Sequence, residues 1–156
     1  MRTLETWLSE YAESHQNPVN KTIHHFCVPL IMFSLLGLLW LIPGVFYNQV
    51  PVFLNLAVLL AVCALPYYFF LSRLFALGML VISSLMITLI WWLFDSGAPL
   101  FEISILIFIF SWIGQFIGHQ IEGKKPSFFK DIQFLLIGPL WVLAHLYRRL
   151  GIRWQR

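Results

Sequence analysis

Four stretches of about 20 residues have no charged side chain near their centres, and they constrain the fold more than any other feature of this sequence. They cover approximately residues 26–46, 51–71, 74–94 and 100–119. An α-helix needs about 20 mostly apolar residues to cross the hydrocarbon core of a bilayer. The sequence therefore predicts an all-α integral membrane protein in which four spanning helices form a four-helix bundle.

The composition agrees with a membrane protein. Hydrophobic residues make up 60% of the chain and charged residues 11%, whereas soluble domains have roughly 45–50% apolar and about 25% charged residues. We expect residues 1–156 to form a single membrane domain. The net charge of +3 indicates contact with anionic membrane lipids and does not require a nucleic-acid partner.

The positions of the basic residues predict how the chain is oriented. Arg2 and Lys21 precede the first span, Arg73 lies between the second and third spans, and the other seven follow the fourth. All ten then fall on the same side of a four-span chain, which the positive-inside rule assigns to the cytoplasm. We expect both termini to be cytoplasmic. A compact chain without a retention signal favours a bacterial inner membrane over the endoplasmic-reticulum membrane.

Two segments outside the spans are predicted to lie at the membrane interface. Residues 3–14 carry apolar side chains at helical spacing, which predicts a short amphipathic helix. Residues 127–150 predict two interfacial or re-entrant helices, because Gly138-Pro139 interrupts the pattern. Asn17-Pro18 is typical of a helix start, with asparagine as the cap and proline in the first turn.

The histidines lie near the predicted cytoplasmic ends of the spans and not at their centres. They are His15, His24, His25, His119 and His145. Asn20 and His24 are four residues apart and so share a helix face, and His119 and Glu122 are three apart. The side chain of His25 is rotated by about 100° from that of His24.

This pattern predicts a mononuclear metal site at one membrane face. Neutral imidazoles with one carboxylate suit ferrous iron or zinc. Glu122 would either join the ligands or orient His119 by a hydrogen bond. The alternative interpretation is that the histidines are amphipathic anchors at the interface and bind no metal.

Two blocks of the sequence resemble the signatures of the Mpo-like family. The first is YAESHQNPVNKTIH over residues 11–24, followed by Pro29-Leu30. The second is GHQIEG over residues 118–123, followed by Pro126 and Gly138-Pro139. The resemblance covers essentially the whole chain. Fungal members of the family are 2-hydroxy fatty acid dioxygenases of the endoplasmic reticulum.

The resemblance implies an iron(II)-dependent dioxygenase of fatty acid α-oxidation, which shortens its substrate by one carbon. Its partners would be a 2-hydroxy fatty acid or related lipid, dioxygen and the membrane lipids. The resemblance implies three iron ligands: His15, His24 and His119. It also implies that Asn20 and Glu122 orient the ligands or the substrate, and that Tyr11 donates a hydrogen bond to the substrate.

His145 and His25 are two further candidate metal ligands. His145 occupies a position that is often glutamate in the family, so a metal contact there would change the ligand set. Two other positions depart from the family pattern, since Cys27 and Ser127 replace the usual glycine and alanine.

Two other functions are compatible with the same residues. One is a zinc-dependent membrane hydrolase in which Glu122 is the general base. The other is a non-catalytic protein that binds membrane lipids. A transporter is not expected, because no ionisable residue lies near the middle of a predicted span, where transporters keep their binding sites.

Overall fold

The computed structural model describes residues 2–46, 54–127 and 131–154, with the backbone alone described at 43–46. Within these ranges the chain forms six helices and no strand, which confirms the all-α class. The helices are α1 (Leu4–Ala12), α2 (Pro18–Phe46), α3 (Leu56–Leu71), α4 (Arg73–Asp95), α5 (Leu100–Glu122) and α6 (Phe134–Arg149).

Among the described residues, three helices are long and apolar enough to cross a membrane: Pro18–Ile42 of α2, all of α4 and all of α5. The predicted second span, 51–71, corresponds to a shorter helix among the described residues. Its helix α3 begins at Leu56 and has 16 residues, about 24 Å at 1.5 Å per residue, which is shorter than a hydrocarbon core of about 30 Å. Residues 51–53 lie outside the described ranges.

The late start of α3 has a local cause at Asn55. The Asn55 side-chain oxygen accepts a hydrogen bond from the Ala57 amide at 2.9 Å, as a helix N-cap does. Its Nδ2 donates to the Trp40 carbonyl at 3.0 Å. This asparagine therefore fixes the first turn of the helix. The predicted span began at residue 51 and so included Asn55 as a helical residue.

The chain divides into two compact units, with the divisions inside α2 and α5. One unit comprises residues 30–110. In it α3 packs against α4, around a core of five buried side chains: Leu36, Trp40, Ala57, Ile90 and Leu100. Gly37 lies so close to Ser104 that an added Cβ would meet its hydroxyl. The other unit comprises residues 1–29 with 111–156 and contains every histidine of the chain.

In this second unit α1 packs against α6. The predicted amphipathic stripe of α1 is confirmed, because Leu4, Trp7, Leu8 and Tyr11 are its buried residues. The Trp7 ring meets Phe134 of α6 edge-on, with 5.1 Å between ring centroids. The apolar face of the predicted 3–14 segment is therefore covered by protein.

The helix break predicted at Gly138-Pro139 is wrong. Both residues lie inside α6, which runs without interruption from Phe134 to Arg149. Proline removes one backbone donor, and the packing of α6 on α1 outweighs that loss. Gly138 has a packing role, because an added Cβ would lie 3.2 Å from the Tyr11 hydroxyl. Residues 128–130 of the predicted 127–150 segment lie outside the described ranges.

The start of α2 and the end of α5 follow ordinary helix-capping rules. The Asn17 side chain accepts from the Val19 amide at 2.9 Å, which confirms the predicted start. At the end of α5, Gly123 has a φ of +72°. The Lys124 amide donates to the His119 carbonyl at 3.3 Å and the Gly123 amide to that of Gln120 at 3.1 Å, a Schellman motif that turns the chain back.

We expect Gly123→Ala to lower the stability of the protein by about 1–2 kcal/mol, because a Cβ in the left-handed region is strained. Thermal unfolding in detergent measures the effect. Gly123→Asn is the matched control and should lose less, since asparagine tolerates this conformation. Equal melting temperatures for wild type and Gly123→Ala would contradict the assignment.

Candidate metal centre

Three histidines from separate segments meet inside the second unit. His15 precedes α2, His24 lies in the second turn of α2, and His119 lies in the last turn of α5. One ring nitrogen from each lies within 4.8 Å of the other two. Nε2 of His24 and Nε2 of His119 are 3.1 Å apart. Their exposed fractions are 0%, 0% and 5%.

Main-chain carbonyls orient two of these rings. His15 Nδ1 lies 2.6 Å from the Tyr11 carbonyl, and His24 Nδ1 lies 3.0 Å from the Asn20 carbonyl. A carbonyl only accepts, so each Nδ1 must carry the proton and donate it. In the neutral ring the Nε2 lone pair is then available. A hydrogen bond from the other ring nitrogen fixes the tautomer of metal-binding histidines in the same way.

The surroundings of His15 favour its neutral form. Burial lowers the pKa of His15 to about 4, so the ring is uncharged at neutral pH and its lone pair is free to bind a cation. The Tyr11 ring stacks on it, with centroids 4.2 Å apart and planes 11° from parallel. Burial also raises the pKa of the Tyr11 phenol, which therefore remains a hydrogen-bond donor.

The three histidines fit a metal ion. Two nitrogens bound to one metal at about 2.1 Å lie about 3.0–3.4 Å apart, and the His24–His119 separation of 3.1 Å falls in this range. Within the described ranges His15 Nε2 has no hydrogen-bond partner although it is buried, and a buried unpaired nitrogen is costly. A cation among the three rings would satisfy it.

Glu122 lies outside the three-histidine group and binds the start of α2. Its Oε1 accepts from the Gln16 amide at 2.8 Å, and its Oε2 accepts from the Asn17 amide at 2.8 Å. Oε2 also accepts from Asn20 Nδ2 at 3.0 Å. The last residue of α5 thus holds the segment that carries His15.

Asn20 is fully buried and joins the same network. Its Nδ2 also donates to the Ser14 carbonyl at 3.1 Å. Gly118 allows Asn20 to approach α5, because an added Cβ would collide with Asn20 Oδ1 and lie 3.3 Å from Cε1 of His24. The glycine before His119 is therefore a packing requirement of the site.

The other two candidate ligands form a separate pair. The rings of His25 and His145 are 4.1 Å apart between centroids, and neither belongs to the three-histidine group. His25 stacks on Trp141 at 4.8 Å, with planes 8° from parallel. The Trp141 ring also lies 5.3 Å from that of His15, so Trp141 packs against residues of both groups.

The sequence interpretation missed three residues beside the site: Ser14, Ser127 and Trp141. The hydroxyls of Ser14 and Ser127 are 2.6 Å apart, and that of Ser14 lies 3.3 Å from His15 Nδ1. Ser127 thus joins the segment after α5 to the segment before α2. A helical pattern carries no signal for a contact between residues 113 positions apart.

The model of the family described as Mpo1-like, 2-hydroxy-palmitic acid dioxygenase Mpo1-like, matches residues 1–150. The 2-hydroxy-palmitic acid dioxygenase MPO1 of Saccharomyces cerevisiae is 28% identical to the chain over 151 residues, which cover 95% of this chain and 82% of the yeast protein. No solved structure matches the chain.

We expect alanine in place of His15, His24 or His119 to reduce the bound metal from about one ion per chain to a small fraction, because each variant removes one of three ligands. Elemental analysis of protein purified without oxygen measures the content. His145→Ala is the control, since that ring pairs with His25, and it should retain the metal. Loss in all four variants alike would contradict a three-histidine site.

We expect Glu122→Gln to lower the free energy of unfolding by about 1–3 kcal/mol, because an amide cannot replace both oxygens as acceptors of charge-assisted hydrogen bonds. Glu102→Gln makes the same exchange at an exposed position of α5 and should cost less. Thermal unfolding compares the two. Equal melting temperatures would show that the Glu122 network does not support the fold.

Proposed function

The chain belongs to the Mpo1-like family, and on that premise we propose that it is an iron(II)-dependent dioxygenase that acts on 2-hydroxy fatty acids. The observation that carries the proposal is the group of three buried imidazoles with a ring nitrogen of each within 4.8 Å of the others. An oxygenase of this kind needs a metal, and this group fits one.

His15, His24 and His119 would hold the ion in this proposal. Ferrous iron bound by few protein ligands keeps coordination positions open, where it supplies the redox chemistry with dioxygen. The protein's contribution is to keep the imidazoles neutral and fixed. Burial favours the neutral form of an imidazole, and the carbonyls of Tyr11 and Asn20 fix the rings of His15 and His24.

The proposed reaction balances without a further co-reactant. One 2-hydroxy acid and one dioxygen give the acid shorter by one carbon, one carbon dioxide and one water. The bond between the carboxyl carbon and the hydroxyl-bearing carbon breaks, and the hydroxyl-bearing carbon becomes the new carboxyl group. The substrate supplies all four electrons that reduce dioxygen.

Asn20, Glu122 and Tyr11 have supporting roles in the proposal. Glu122 and Asn20 position the histidine-bearing segment, as their mutual hydrogen bond of 3.0 Å indicates. Tyr11 covers one face of His15 and stays protonated, so it can donate to a bound substrate. Because both Glu122 oxygens already accept hydrogen bonds, we do not assign it the role of general base in a hydrolase.

The proposed site suits an amphiphile at a membrane surface. His24 lies six residues from the start of α2, about 9 Å along the axis, and His119 three residues from the end of α5, about 4.5 Å. The acid group would therefore enter at one face while the alkyl tail stays in lipid. The basic residues support assigning this face and both termini to the cytoplasm, and we propose a bacterial inner membrane as the location.

The test combines three arms on protein purified without oxygen. With ferrous iron, 2-hydroxy-palmitic acid and dioxygen, we expect uptake of about one dioxygen per shortened acid formed, measured with an oxygen electrode and mass spectrometry. Without dioxygen, or with His119→Ala, no product should form. Release of the free acid from a 2-hydroxy-palmitoyl ester by zinc-loaded protein without dioxygen would favour a hydrolase, and no shortened acid from folded, iron-loaded protein would overturn the proposal.

A further inference from the structure

A cavity of about 280 Å³ lies beside the three-histidine group, at the end of α5. Its lining includes Phe116, His119, Gln120, Lys124, Lys125 and Pro126. Ligand pockets usually measure about 300–1,000 Å³. This cavity is therefore large enough for the head of an amphiphile and its first methylene groups, but not for a whole lipid.

The end of α5 builds both sides of this cavity. Phe116, His119 and Gln120 are three and four residues apart, so they share one face of the helix. The left-handed turn at Gly123 then leads the chain back, and Lys124, Lys125 and Pro126 form the other side. The same turn that ends the helix therefore brings two lysines into the lining of the cavity that His119 also lines.

The two lysines of the lining favour an anionic ligand. The lining contains no carboxylate, because the neighbouring Glu122 side chain binds the start of α2. Lys124 is already engaged, since its Nζ donates to the Glu13 carbonyl at 2.7 Å. Lys125 makes no ion pair or hydrogen bond with its side chain in the described part of the protein, so its ammonium is available to a ligand.

The His119 side chain supplies a second indication of a ligand. Only 5% of its surface is exposed, and it lines the cavity. Its Nδ1 has no hydrogen-bond partner within the described ranges. A polar molecule in the cavity would satisfy this nitrogen, whereas an empty apolar space would not.

We propose that the cavity binds the carboxylate end of a fatty acid, with Lys125 as its ion-pair partner and Phe116 and Pro126 in contact with the first methylene groups. The inference rests on the proposed function for its choice of substrate class. It adds that the protein recognises the free acid and not an ester, and that Lys125 brings the carboxyl carbon beside His119.

The test measures binding of palmitic acid and of its methyl ester, which lacks the charge, by competition with a fluorescent fatty acid in phosphatidylcholine nanodiscs. Lys125→Gln should weaken binding of the acid about fivefold to tenfold and leave the ester unchanged, because the variant removes one charge-assisted contact. Lys125→Arg should keep most of the affinity. Lys21→Gln, which removes a lysine outside the cavity lining, should have no effect.

Three results would overturn the inference: unchanged affinity in Lys125→Gln, equal losses for acid and ester, or an equal loss in Lys21→Gln. Adding phosphatidylglycerol to the nanodiscs distinguishes a site for the fatty acid carboxylate from a site for an anionic phospholipid headgroup. If it displaces the acid at low molar ratio in wild type but not in Lys125→Gln, the cavity is a phospholipid headgroup site and the inference fails. Palmitic acid lacks the 2-hydroxyl group, so its binding is independent of oxygen uptake, and failure of the oxygenase test leaves this measurement interpretable.

Discussion

The carboxylate of Glu122 is the contact on which the candidate centre depends. It accepts hydrogen bonds from two backbone amides and from Asn20, across more than 100 residues of sequence. Negative charge at a helix start is favourable, because the first amides of the helix have no partner within it. One side chain thus holds the two residues that precede α2 and sets where His15 and Asn20 lie relative to the end of α5.

Burial gives the three imidazoles their chemical character. A histidine removed from water is disfavoured as a cation, and carbonyl acceptors hold the rings of His15 and His24 with Nδ1 protonated. The His24 and His119 rings interact through their Nε2 atoms, which are 3.1 Å apart, whereas His15 Nε2 has no partner within the described ranges. A cation among the three rings would accept their lone pairs, so binding a metal would stabilise the folded chain.

The amino-acid pattern predicted the parts of the fold that depend on neighbouring residues. The start of α2 at Asn17-Pro18 and the apolar stripe of α1 are both local patterns, and both are confirmed. Predictions from the sequence were wrong or incomplete where contacts between distant residues, and not the local pattern, determine the structure. Gly138-Pro139 breaks helices in general, but here Gly138 makes room for Tyr11. Likewise Glu122 had partners more than 100 residues away, which spacing along one helix cannot indicate.

His24 and His119 are 95 positions apart in the sequence, and this separation has a consequence for how the protein matures. During synthesis the chain presents His15 and His24 early, and it lacks the third imidazole until α5 has been made. Two ligands hold a metal more weakly than three. In the proposed metal centre, loading would therefore come late in synthesis, after α5 has been made, and a chain without α5 would bind the ion more weakly.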